Sequence, residues 1–458
     1  MKDLTQGPIY RHLISMSVPI LFGMLVQTLY FLIDLYFVGQ LGDAALAGVS
    51  SAGVLFFFVM AITQVLNVGV GTLVAHAIGR KDKDEANLLL NQGLLICAMC
   101  IGVLLSVALV GGDKYFENIA PNEDVFAASL SYFYWFMPAL FIQFPMTVML
   151  ASLRGSGVVK QPMLINMFAL VINAILSPIL ITGWGFGIEM GVAGAGLASS
   201  ISASIGFILI CIYFKLRESY LRFSISECKP HFKTIKKIIG LGLPSGGESL
   251  LVFVYMSVIY WVLSDFTASA QAGFGLGSRI MQALFLPVLA VAFAAPAIAG
   301  QNFAAGNTDR VYQTYYQGTA ITCGLMLIIT VACALYAEVF LAPFSSEPDV
   351  ISVASVFLSY VCFNFVPAGY VLAASGMFQA LGNAWPALLS TAVRLSLFSV
   401  SLMIVSEQAN FTLENIWVLS VLTYYIQAVV SFYFLRRELK NKLSQTTRGE
   451  EIAQTQVS

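Results

Sequence analysis

The sequence predicts an all-α polytopic membrane protein: twelve transmembrane helices in two six-helix bundles related by a pseudo-two-fold axis along the membrane normal. Three observations carry this. Of the 458 residues, 58% are hydrophobic and only 10% charged, where soluble domains carry about 25% charged residues. Apolar stretches long enough to cross a bilayer as helices recur twelve times. The second half of the chain repeats the first at a constant offset of 225 residues.

The apolar stretches run at approximately 14–38, 45–75, 88–111, 124–152, 162–183, 190–214, 237–263, 270–300, 315–340, 350–378, 387–406 and 415–435. Several exceed 25 residues, which implies tilt or ends that leave the membrane. The first is too long for the apolar core of a signal peptide and lacks an A-x-A site, so it is expected to stay as a span. With the N-terminus in the cytoplasm, the inner segments hold Lys2, Arg11, Arg80, Lys81, Lys83, Arg154, Lys160, the run Lys215–Lys237, Arg310, and Arg436–Arg448, whereas the outer loops hold Lys114. That asymmetry obeys the positive-inside rule and places both termini in the cytoplasm.

The repeat aligns Pro19 with Pro244, Gly48 with Gly273, Gln92-Gly93 with Gln317-Gly318, and Arg154-Gly-Ser-Gly157 with Gln379-Ala-Leu-Gly382. Six spans per half give both halves the same orientation. The expected organisation is an N-terminal lobe over 1–214, a cytoplasmic linker over 215–237, a C-terminal lobe over 238–435 and a cytoplasmic tail over 436–458. Two matched lobes around a central cleft suit alternating access, and the fold needs no second subunit, so a monomer in a lipid bilayer is expected.

Several function classes are excluded or disfavoured. A net charge of −1 gives no basic field for nucleic acid. His12, His76 and His231 are scattered and form no metal or catalytic constellation. Cys97 and Cys100 make a CxxC, but it sits in LLICAMCIGVLL without polar neighbours and reads as small buried residues; the remaining cysteines, Cys211, Cys228, Cys323, Cys333 and Cys362, show no pairing pattern. The glycines of GVAGAGLASS read as close helix packing rather than a phosphate loop. Without a Walker A sequence, an ion gradient is the expected energy source, and neither catalysis nor an organic cofactor is expected.

Specific runs then become informative. FLIDLYFVGQLGDAALAGVS (Phe31–Ser50), ASLRGSGVVKQP (Ala151–Pro162), VINAILSPIL (Val171–Leu180) and GFGLGSRIMQALFLPVLAVAFAAPAIAGQNFAAGNTDR (Gly273–Arg310) resemble, in order, signature regions of the multidrug and toxic compound extrusion (MATE) family. The resemblance implies two six-helix bundles around a central cavity in a bacterial inner membrane. It also implies export of amphiphilic organic cations in exchange for H⁺ or Na⁺. The alternative within the same superfamily is a flippase for lipid-linked oligosaccharides, whose anionic pyrophosphate would call for several cationic side chains.

An ionisable residue in mid-span is costly and therefore a functional candidate. Asp34, among Leu32, Ile33 and Leu35, is the leading one, and it matches the family's cation-coupling aspartate. The family's fifth helix carries Asn followed four residues later by Asp; here the pair is Asn173 and Ser177, one turn apart on one face. A sixth-helix hydroxyl matches Ser199. Asn and Ser oxygens still suit Na⁺, but one carboxylate in place of two tilts the expectation towards H⁺. Pro19 stands fifteen residues before Asp34, the spacing at which one branch of the family bends this helix. Its competing reading is a helix start, where proline costs little.

Glu248 is a candidate acidic site in the C-terminal lobe. It follows Pro244 by four residues, whereas the family's functional glutamate would fall at Val252. The other reading is a first-turn glutamate complementing a helix N-terminus. Arg279 and Arg394 lie within spans and read as structural, with carboxylate or carbonyl partners expected. Aromatic faces attract organic cations, and Tyr30, Tyr36, Phe141, Phe144, Tyr255, Tyr260, Phe285 and Phe365 are candidate cavity liners.

Overall fold

The computed structural model describes residues 2–185, 189–218, 220–224, 227, 229–344, 347–408 and 410–457, with side chains except at 54–55 and 445–457. Cys228 lies outside the described residues. Among these residues the ordered elements are helices: α1 (Ile9–Gly39), α2 (Asp43–Gly79), α3 (Lys83–Ile119), α4 (Glu123–Gly155), α5 (Lys160–Thr182), α6 (Val192–Leu216), α7 (Phe232–Leu263), α8 (Ala268–Ala304), α9 (Thr308–Leu341), α10 (Pro348–Val361), α11 (Phe365–Ala380), α12 (Trp385–Ser406) and α13 (Leu413–Val457). Twelve stretches are long and apolar enough to cross a membrane. The tenth is broken: α10 and α11 meet at a 3₁₀ turn, Cys362–Asn364. The protein is thus an all-helical, multi-pass membrane protein, as its composition dictates.

Helices begin where side chains can cap them. Asp82 accepts a hydrogen bond from the backbone N–H of Glu85 (2.9 Å), and Asn122 accepts one from Val125 (2.9 Å). Two expectations about helix starts need correction. Pro19 lies ten residues inside α1 and does not begin it. Similarly, α7 begins at Phe232, inside the Lys-rich segment that hydropathy had set apart, because a helix can continue into water past the apolar run. Glu248 is therefore in mid-helix, sixteen residues from the start of α7, and the first-turn reading of it falls.

The chain forms two compact units: Pro19–Gly242 with Lys2 and Asp3, and Leu243 onward with Leu4–Val18. The boundaries fall inside α1 and α7, beside Pro19 and Pro244. In the first unit α2, α3, α4, α5 and α6 build an apolar core that includes Phe116, Phe133, Phe144 and Met149. Helix α6 comes very close to its neighbours, because a Cβ on Gly194 would collide with the Leu180 carbonyl and one on Gly196 with the Tyr132 carbonyl. The first stretch of α7 nests on α2 in the same way, with Gly69 facing the Ile238 carbonyl and Gly242 facing that of Val65. The connection before α7 is tied to α3: Gln92 Nε2 donates to the carbonyls of Glu227 (2.7 Å) and Lys229 (2.8 Å), and its Oε1 accepts from the His231 N–H (2.8 Å).

The second unit has its own core, where Trp417 stacks on Phe274 (5.6 Å, 10°) and meets Phe357 edge-on (4.8 Å). At its α1 end, the Leu4 N–H donates to Gln301 Oε1 (3.1 Å) and Asn302 Nδ2 donates to the Leu4 carbonyl (3.1 Å).

The repeat is visible in the backbone at two places. The α4 and α11 helices both end on a left-handed glycine, Gly157 and Gly382, each at φ 76°. Gly157 N–H donates to Arg154 (2.9 Å) and Val158 N–H to Leu153 (2.9 Å); Gly382 N–H donates to Gln379 (2.9 Å) and Asn383 N–H to Phe378 (3.0 Å). Gly48 is crowded by Ala128, and Gly273 by the corresponding Val353.

Candidate functional site

The first unit brings all four coupling candidates into one cluster. Asp34 lies one helical turn after Tyr30 on α1 and is only 7% exposed. Ser177 on α5 donates to Asp34 Oδ1 (3.1 Å) and stands 2.9 Å from Asn173 Oδ1. Asn173 Nδ2 donates to Ser199 Oγ (3.2 Å) and Ser202 Oγ (3.0 Å) on α6. Tyr30 closes the ring, with its hydroxyl 2.9 Å from Ser199 Oγ. The glycine-mediated approach of α6 is what lets such short side chains meet. Ser202 was not foreseen, although its three-residue spacing from Ser199 puts it on the same face. Tyr30, expected only as a cavity liner, belongs to this cluster.

The partners of Asp34 here are neutral oxygens. Ser177 has one hydroxyl proton and two acceptors in reach, Asp34 and Asn173, so the ionised cluster is one donor short. A proton on Asp34 supplies it: the acid then donates to Ser177, which is free to donate to Asn173. A Na⁺ ion would instead be held by the carboxylate with Ser and Asn oxygens. Among the described residues no group of three or more His, Cys, Asp or Glu could hold a metal.

The second unit holds a different polar cluster. Half-buried Glu248 accepts from Ser375 on α11 (3.4 Å) and from Thr391 on α12 (3.3 Å). Gln427 on α13 donates to Thr391 Oγ1 (3.0 Å). Helices α11 and α12 thus bond this carboxylate of α7 directly, and α13 joins through Thr391. Sequence reasoning named Glu248 but none of its partners, because a lone Ser, Thr or Gln in a span is too common to stand out.

The arginines and aromatics divide. Arg279 is exposed on α8. Arg394 is 8% exposed, and its partners are rings rather than the expected carboxylate or carbonyl: its guanidinium carbon lies 3.4 Å from the centroid of Tyr424 and 4.4 Å from that of Tyr255. Tyr255 also bonds Ser420 (2.8 Å). Phe144 and Phe365 are corrections. They are 1% and 0% exposed, sealed in their own cores, and have no surface with which to line a cavity. Phe141 and Phe285 are half-buried, the latter edge-on to Phe365 at 5.2 Å, while Tyr36 and Tyr260 are exposed. Cys97 is a buried free thiol on α3, and Cys100 is free beside it.

Comparison with known proteins fits this architecture. The MatE family model matches residues 19–179 and 244–405, one copy in each half. A protein of Bacillus subtilis (strain 168), "Probable multidrug resistance protein YpnP", is 28% identical over 393 residues, covering 83% of this chain and 86% of that one. The "FAD transporter" of Shewanella oneidensis is 26% identical over 415 residues, covering 88% and 90%. Among solved structures, an outward-facing multidrug resistance MATE family transporter of the MOP superfamily shares the fold. It has a TM-score of 0.89 and 23% identity, covering 96% of this chain and 98% of that one.

Proposed function

This chain belongs to the MatE family of multidrug transporters, and from that premise we propose that it exports amphiphilic organic cations by antiport, with H⁺ as the coupling ion at Asp34. The observation that carries the reading is the donor count around Ser177: one hydroxyl faces two acceptors, and a proton on Asp34 supplies the missing donor. In one state of the cycle Asp34 takes up the ion and drug leaves; in the other the ion is released and drug is bound. Asn173, Ser177, Ser199, Ser202 and Tyr30 position the acid and hold its hydroxyl partners. The Lys and Arg distribution supports both termini lying on the cytoplasmic side of a bacterial inner membrane.

The test is dye transport in proteoliposomes under an imposed H⁺ or Na⁺ gradient, one at a time. Uphill accumulation of an ethidium-like dye should follow the H⁺ gradient and vanish in Asp34→Asn. Accumulation driven by Na⁺ alone would assign the other ion, and full-rate export by a normally expressed Asp34→Asn would remove Asp34 from the mechanism.

A second reading, transport of an anionic cargo, has the name of the Shewanella oneidensis relative and the buried Arg394 in its favour. Competition of phosphate-bearing molecules, including pyrophosphate-linked lipids, against cationic dyes separates the two.

A further inference from the structure

The second unit contains a buried cation, Arg394, that the cation-export mechanism does not use, and its surroundings deepen the anionic-cargo reading. Arg394 sits in the middle of α12, and two tyrosine rings lie against its guanidinium, Tyr424 at 3.4 Å and Tyr255 at 4.4 Å from guanidinium carbon to ring centroid. Ring faces attract a cation, but they accept nothing from the N–H groups that point outward in the guanidinium plane. One of those, Nε, is buried and has no partner. The Tyr255 hydroxyl is in hydrogen-bonding reach of the group, but it is shared with Ser420, which also takes a bond from Asn364 (3.1 Å). The carboxylate in the same unit, Glu248, is engaged by Ser375 and Thr391 and forms no ion pair with Arg394.

The repeat places Ala169 of α5 where α12 has Arg394, and the first unit builds the same helix pair without a charge. A cation within a span and without a counter-ion is expensive to keep. What it lacks is an oxygen acceptor carrying negative charge. An unpartnered guanidinium edge is the part of an arginine that binds a carboxylate or phosphate side-on, through two parallel N–H groups.

We propose that Arg394, held against Tyr255 and Tyr424, is the anchor of an anion-binding subsite in the C-terminal half, which takes the carboxylate or phosphate of a bound molecule. That oxyanion belongs either to a soluble solute or to a lipid headgroup. The subsite does not depend on Asp34 or on ion coupling.

The test is direct binding, on the purified full-length chain in nanodiscs of phosphatidylcholine, followed by the anisotropy of fluorescein as an aromatic carboxylate probe. Wild-type protein should bind it saturably. Arg394→Lys, which keeps the charge and loses the planar fork, should weaken binding at least about tenfold, and Tyr424→Leu should weaken it less. Arg279→Gln, which removes an exposed span arginine, should leave the affinity in place. Thermal unfolding of each variant confirms that it is folded. Adding phosphatidylglycerol to the nanodiscs identifies the source: loss of fluorescein binding assigns the site to lipid headgroups, and unchanged binding assigns it to soluble anions. Absence of saturable binding, equal affinity in wild type and Arg394→Lys, or an equal loss in Arg279→Gln would overturn the proposal.

Discussion

The two halves each hydrogen-bond the tyrosine at one repeat position to a serine of their last helix, and differ in what else surrounds it. In the first, Tyr30 bonds Ser199 (2.9 Å); in the second, Tyr255, 225 residues later, bonds Ser420 (2.8 Å). Around Tyr30 stand Asp34, Asn173 and Ser177. At the same offset around Tyr255 stand Ile259, Phe398 and Leu402, buried and apolar, with the Phe398 ring 4.9 Å from that of Tyr255. The scaffold is thus indifferent to what fills this position. One copy fills it with an acid that can exchange a small cation, the other with hydrocarbon. The acid of the second half, Glu248, lies eleven residues before Ile259 on α7, about 16 Å further along the helix, among different partners.

This contrast can be broken or sharpened by experiment. The largest effect is expected at the acid. Asp34→Asn should reduce gradient-driven dye transport by at least about tenfold in proteoliposomes, whereas Ile259→Asn should retain the ion dependence of whatever transport survives. Equal behaviour of the two variants would mean that the copies share the coupling role. Next comes packing. Phe398→Ala should cost about 3 kcal/mol of stability, read from thermal or denaturant unfolding in detergent, while Asn173→Ala should act mainly on transport. A smaller gain is expected at a turn. Lys81 adopts a left-handed conformation (φ 60°) where the repeat has Gly306 (φ 78°), so Lys81→Gly should stabilise the fold by up to about 1 kcal/mol. The smallest concerns the shared bond itself. Tyr255→Phe should cost about 0.6 kcal/mol, as interhelical bonds in membranes do on average, with transport intact; Tyr30→Phe should lower transport as well, because its hydroxyl closes the Asp34 cluster.

The spans, the repeat and the cluster of Asp34, Asn173, Ser177 and Ser199 were legible because each rests on a rare event in a membrane sequence: a polar residue where hydrocarbon is cheaper, or a glycine at a fixed offset. Phe144 and Phe365 could not be placed the same way. A phenylalanine sealed in a core and one facing lipid are equally apolar, and hydropathy does not separate them. The partners of Glu248 were hidden for a related reason, since Ser375 and Thr391, 127 and 143 residues after it, are ordinary hydroxyls in apolar spans. The start of α7 was misjudged because charge marks where a helix leaves the bilayer, not where its hydrogen bonds end.

Backbone-to-backbone nesting of Gly69 and Gly242 bears on how such a gene can be cut. The natural place to divide it into two open reading frames is the turn between α6 and α7, yet the opening stretch of α7 is fitted to α2 with no space for a side chain. A first product ending near residue 217 would leave Val65 and Gly69 on α2 without Gly242 and Ile238, which the second product would carry. The halves, though descended from one repeated unit, should therefore yield a stable protein only when synthesised together in the same membrane.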